Sequence, residues 1–145
     1  DDVIAQAVLD SRAGGLQSFG TSTGTGTLDD GTEKTESFER ASELTIEVDA
    51  TLTTSSTYPS DGATTIEDKI IRYIGGVAND GLDYPGLEIG EDVVFDQVFR
   101  RVMEVQGVVE ADVYIDTADD PNSQTNIAIA TDAAAMTDAA NIDFL

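Results

Sequence analysis

Residues 89–116 read IGEDVVFDQVFRRVMEVQGVVEADVYID, and this stretch decides the fold. Phe95, Val98, Phe99 and Val102 recur at helical spacing, with Asp96, Arg100, Arg101 and Glu104 on other faces. Glu91 and Asp92 stand ahead of the run, where acids favour the positive end of a helix dipole. Gly107 follows it, at the place where a left-handed residue commonly ends a helix. From Ala111 the period changes to two: Ala111, Val113 and Ile115 alternate with Asp112, Tyr114 and Asp116. A helix, a glycine stop and a strand in succession make one αβ packing unit. Phe95, Phe99 and Met103 are read as core, and Tyr114 as turned toward the wet face of its strand.

Working outward, residues 44–53 predict a strand, because Leu44, Ile46, Val48, Ala50 and Leu52 alternate with Thr45, Glu47, Asp49, Thr51 and Thr53. One face is apolar and the other acidic or hydroxylated, so the sheet has a wet side. A turn at residues 59–62 leads to a helix with Thr64 and Glu67 spaced as a capping box. Ile66, Ile70, Tyr73, Ile74 and Val77 make its apolar face, and residues 79–86 read as a loop. Ile127 and Ile129 predict a last core strand, and residues 130–141 a short alanine-rich helix. Toward the start, residues 3–12 predict a helix with Ile4, Ala7 and Val8 near one face, ended by Gly14-Gly15. The alternation TSTGTGT over residues 21–27 fits either linker or strand, and Asp29-Asp30-Gly31 is turn chemistry. The expectation is an α+β fold: a small, mainly antiparallel sheet with two helices packed on one face, plus an N-terminal helix and hairpin arm. Residues 1–43 form the exposed arm and residues 44–145 the two-layer domain.

The charge is lopsided, 29 acids against 7 bases for a net −22, with Lys34 and Lys69 the only lysines. At 40% hydrophobic and regularly patterned, the chain is no disordered acidic tail. A cation-binding or nucleic-acid-mimicking surface is one reading of the acids; the preferred one is a halophilic surface that stays hydrated in concentrated salt. At ~1 M salt the screening length is about 3 Å, so self-repulsion is damped. No basic stripe is present to displace phosphate counterions, which argues against nucleic-acid binding. No apolar run approaches the ~20 residues of a membrane span.

The chain has no histidine or cysteine, which removes the commonest general base, the thiol nucleophile and nearly all transition-metal ligand sets. GTGTG lacks the lysine of a phosphate loop. Asp116, Asp119 and Asp120 near Asn122, and Asp29, Asp30 and Glu33, offer oxygens to calcium without the order of a calcium loop, and read as solvated acidic turns. No enzyme activity and no cofactor is expected. Candidate interface residues are Tyr114 on the wet face, the pair Arg100 and Arg101 as rare positive charge, and Phe38 as the one apolar residue of the polar run over residues 32–40.

The chain also resembles a known family. The block IGEDV…GVVEADV is similar to the GEdv…GV.dv block of baseplate J-like proteins, wedge subunits of contractile phage tails and related injection machines. Asp2–Val8 with residues 14–20, residues 44–48 leading to 58–62, and Asn126–Ile129 with Asn141-Ile142 resemble further family segments, in the family's order through nearly the whole chain. The likeness is to the C-terminal region of such proteins, and the absence of Met at Asp1 fits a fragment. The resemblance implies a structural component of a viral tail baseplate, of haloarchaeal type, located in the virion and assembled in the host cytoplasm. Its implied partners are copies of itself, a tail-protein-I-like subunit, and hub and sheath-proximal components of a ring. The family transfers no catalytic or cofactor residues. The competing expectation is an extracellular, cation-stabilised binding or adhesion module of a halophile.

Overall fold

A computed structural model describes residues 1–11 and 17–145; the glycine pair Gly14-Gly15 expected to end the first helix lies outside these. The chain divides into two compact units, Asp1–Ala41 and Ser42–Leu145. In the first, α1 (Asp2–Ser11) accompanies an antiparallel hairpin of β1 (Ser22–Thr27) and β2 (Glu33–Phe38). The threonine–glycine alternation is therefore strand. Its purpose is close approach: a Cβ on Gly24 would lie 2.6 Å from the Asp1 carbonyl and 2.9 Å from the Ala5 Cβ. With bare glycines beneath it, the helix lies directly on the strand.

The face of α1 that turns inward differs from the expected one. Ala5 and Leu9 are buried, whereas Val3 is 84% exposed and Ile4 and Ala7 are also exposed. Hydrogen bonds set this rotation. The Thr25 N–H donates to Asp2 Oδ1 at 2.9 Å and the Thr27 N–H to Gln6 Oε1 at 2.8 Å, while Gln6 Nε2 donates to the Thr27 carbonyl at 3.2 Å. Positions 2, 5, 6 and 9 share one helical face, so satisfying the strand edge carries Ala5 and Leu9 inward with it.

In the second unit the predicted strand at 44–53 is two strands, β3 (Ser42–Thr45) and β4 (Glu47–Thr54), because its partners change at Ile46. β4 is the central strand of a three-stranded sheet, flanked by β7 (Val108–Asp116), antiparallel, and β9 (Ile142–Phe144), parallel, and α2 (Gly62–Ile74) and α3 (Phe95–Met103) come between β4 and β7 in sequence. β3 pairs in parallel with β8 (Ala133–Met136). Ser42 stands opposite Ala133 but Val48 opposite Ile142, a slip of three residues absorbed around a 3-10 turn at Ala139–Asn141. The buried Thr137 hydroxyl donates to the Ile46 carbonyl at 2.8 Å, satisfying the group stranded at the break.

Residues 130–141 thus hold a strand and a single 3-10 turn in place of the expected alanine-rich helix. Ala133 and Ala135 are buried and alternate with half-buried Ala134 and Met136, and both edges of β8 are used. The Gly90 N–H donates to the Ala133 carbonyl, and the Thr137 N–H to the Gly75 carbonyl, each at 2.9 Å. Alanine's helical preference loses here to pairing on two sides. Nor do Ile127 and Ile129 form a core strand: Ile127 makes an isolated bridge to Val93, and the Ile129 N–H donates to Asp92 Oδ1 at 2.9 Å.

Ile66, Ile70, Ile71 and Ile74 of α2 and Val98 and Val102 of α3 are buried against Val48, Ala50, Val113 and Ile115 of the sheet, with Phe95 and Phe99 packed at the margin. Each such side chain contributes about 1.5–3 kcal/mol relative to exposure. The expected capping box does not form, since α2 begins two residues before Thr64 and Glu67 accepts from Asn79 Nδ2 at 2.8 Å instead. Val77 has left the helix for a small hairpin, β5 (Gly76–Val77) with β6 (Asp83–Tyr84), and is 51% exposed. Glu91 and Asp92 precede α3 without entering its first turn, which holds Asp96. Gly107 has φ 86°, and a Cβ there would fall 2.4 Å from the Tyr58 nitrogen, so this turn requires glycine.

Candidate functional site

The second unit has two unlike faces. Helices cover one side of the sheet. The other presents Glu47, Asp49, Thr51 and Thr53 from β4, Glu110, Asp112, Tyr114 and Asp116 from β7, and Asp143 from β9. The register places Glu47 opposite Asp116 and Asp49 beside both Tyr114 and Asp143. Like charges facing each other across strands are unfavourable. Burial pushes the Asp49 carboxyl above the ordinary aspartate range, and Asp143 and Asp120 push it further. A depression of about 390 Å³ edged by Thr51, Glu110 and Asp112 marks this outer face, and a separate one of about 190 Å³ is lined by Thr45, Gly76, Val77, Met136 and Asp138.

All four basic residues of this unit, Lys69, Arg72, Arg100 and Arg101, stand on α2 or α3. Arg100, 67% exposed at its side chain, donates from Nε to Glu104 Oε1 at 2.8 Å, and Lys69 Nζ approaches the same carboxylate at 3.5 Å. The Arg100 hydrogen bond, then Lys69, hold the Glu104 carboxyl below its usual range. Arg101 turns away from Arg100: its guanidinium lies 4.0 Å from the Tyr73 ring centroid and donates to the Gln97 carbonyl at 2.7 Å. Arg72 stacks 4.6 Å from the Tyr84 centroid and donates to Asp80 Oδ2 at 3.1 Å, and Tyr84 donates its hydroxyl to the same oxygen at 2.8 Å. The Leu82 N–H, the Tyr84 hydroxyl and Arg72 together lower the Asp80 pKa.

The predicted interface residues do not converge. Tyr114 is half-buried on the outer face, its hydroxyl donating to Asp112 Oδ2 at 3.2 Å, which raises the phenol pKa. Arg100 and Arg101 belong to the helical layer. Phe38, in the first unit, is only 6% exposed, so its ring is packed inside rather than presented, with Arg40 5.7 Å from its centroid. In the same hairpin the buried Glu36 accepts from Ser18 Oγ at 2.6 Å. The Arg72–Tyr84–Asp80 cluster was not visible in sequence, because only the β5–β6 hairpin folds Tyr84 back onto α2. Its one signal was Asn79-Asp80-Gly81 as turn chemistry.

Among the described residues no group of three or more acids is placed to hold a metal ion, Asp116, Asp119 and Asp120 included. No helix among them is long and apolar enough to cross a membrane. What the arrangement offers chemically is surface: a wet acidic sheet face with one aromatic at its centre, backed by a rigid apolar core. No family model matches the chain, and no curated protein matches it in sequence.

Proposed function

We propose that the chain is a structural component of a tail baseplate, a baseplate J-like wedge element of a haloarchaeal tailed virus or contractile injection system, working through subunit interfaces and not as an enzyme. What supports this reading is the way the family-like segments meet. Asp92 and Val93 of the GEDV block bind Ile129 and Ile127, so the block meets residues 126–129, the segment that resembles the family's closing strand. On this reading the domain is a rigid piece whose outer sheet face and exposed edges meet other tail proteins in the virion. The test is co-expression with sheath, tube and tail-protein-I-like proteins encoded beside it, in high salt. Co-purification and ring-shaped particles by electron microscopy are expected. A chain that stays monomeric beside them and binds glycan or calcium would overturn the reading in favour of an adhesion module.

A further inference from the structure

Guanidinium groups in this protein repeatedly sit on aromatic rings: Arg40 on Phe38, Arg72 on Tyr84, Arg101 on Tyr73. The Tyr84 case shows how such a seat is built on the surface. Asp80 Oδ1 is fixed by the Leu82 N–H at 2.9 Å, and its Oδ2 takes both the Tyr84 hydroxyl and Arg72 Nη2. The outer sheet face holds the same parts with one missing. Asp112 Oδ1 is fixed by Gln124 Nε2 at 2.8 Å, and its Oδ2 takes the Tyr114 hydroxyl. Among the described residues no guanidinium stands over Tyr114.

We propose that Tyr114 and Asp112 form a docking point for an arginine side chain of a partner protein that covers the outer face of the sheet. The surroundings select a cation. Asp49 lies opposite Tyr114 in register and Asp116 two residues along the strand, and none of this unit's lysines and arginines shares the face. Arginine fits better than lysine, because a planar guanidinium can stack on the ring and donate to Asp112 together, as Arg72 does at Tyr84. The unit's own bases cannot serve, since they stand on the helices of the opposite layer. A second copy is a poor source: the most exposed of its described arginines, Arg100, is engaged by Glu104, and association would bring together two bodies of net charge −22. The inference rests on the geometry of this face and not on the baseplate reading.

The test titrates the intact chain with the blocked tripeptides Gly-Arg-Gly and Gly-Lys-Gly in matched salt, following the backbone amide resonances of residues 110–116, which the parent chain and the variants share. The arginine peptide is expected to bind about two- to fivefold more tightly, the scale of a stacked cation at an exposed ring. Tyr114→Ala and, separately, Asp112→Asn should bring it down to the lysine level, with unchanged melting confirming that each variant folds. Equal binding of the two peptides, or arginine binding untouched in Asp112→Asn, would mean diffuse attraction to an acidic body and overturn the proposal. So would self-association of the chain that both Tyr114→Ala and Arg100→Ala abolish, because the guanidinium would then come from a second copy.

Discussion

The two units hold themselves together by different means. Ser42–Leu145 buries isoleucine and valine side chains from two helices and a sheet in one cluster. Asp1–Ala41 buries Ala5, Leu9 and Phe38 but leaves Val3, Phe19 and Leu28 exposed. Its helix is positioned by glycines that admit close approach and by side chains that bind a strand edge. An apolar pattern thus orients an element only where there is a core to receive it; elsewhere unsatisfied backbone groups decide.

The comparison is broken most directly by large-to-small substitutions. Ile70→Ala in the second unit should cost about 2–5 kcal/mol, lowering the main thermal transition in calorimetry. Leu9→Ala should leave that transition in place and speed amide exchange only within Asp1–Ala41. If Leu9→Ala destabilised both alike, the units would not be separate in energy. Salt should separate them next. The second unit carries 21 acids against 4 bases, the first 8 against 3, so raising sodium chloride from low to multimolar should raise the melting temperature of the second unit more. A flat or falling melting temperature would contradict the halophilic reading.

A smaller effect is expected from Gly24→Val, which puts side-chain atoms where Asp1 and Ala5 stand. It should release α1 from its hairpin, seen as loss of amide protection over residues 5–11, with the second unit unchanged. The smallest tests the outer face. Asp49 binds its proton more tightly in the folded state than in the unfolded chain, so its contribution is favourable at low pH and is lost as pH rises through its raised pKa. Asp49→Asn should therefore stabilise by ~0.5 kcal/mol at neutral pH, the scale of one like-charge cross-strand pair, and change little near roughly pH 2–3. Denaturant melts at the two pH values check this; equal gains at both would show that charge is not the cause.

How much was legible follows the same division. α2, α3, β4 and β7 announce themselves through apolar spacing, because each packs one face against a common core. Tyr114 could be placed on the wet face from alternation alone. β8 could not be recognised, since four residues of alanine and methionine lack polar contrast and become strand only beside β3, Gly75 and Gly90. The rotation of α1 was hidden because Asp2 and Gln6 meet Thr25 and Thr27 only after the hairpin forms. The Arg72–Tyr84–Asp80 seat depends likewise on a hairpin closing, so its counterpart at Tyr114 is recognised only by comparing two places in the folded chain.

The parallel ladders of β3–β8 and β4–β9 carry a kinetic consequence. Ser42 must find Ala133, and Ala50 must find Phe144, about ninety residues later, and contacts that distant close slowly. Until they do, one whole flank of β3 and β4 is an unpaired strand edge, open to any other extended chain. During synthesis that edge is exposed throughout the making of everything between, and like charges at Glu43, Glu47 and Asp49 disfavour its pairing with the same strands of a neighbouring nascent chain.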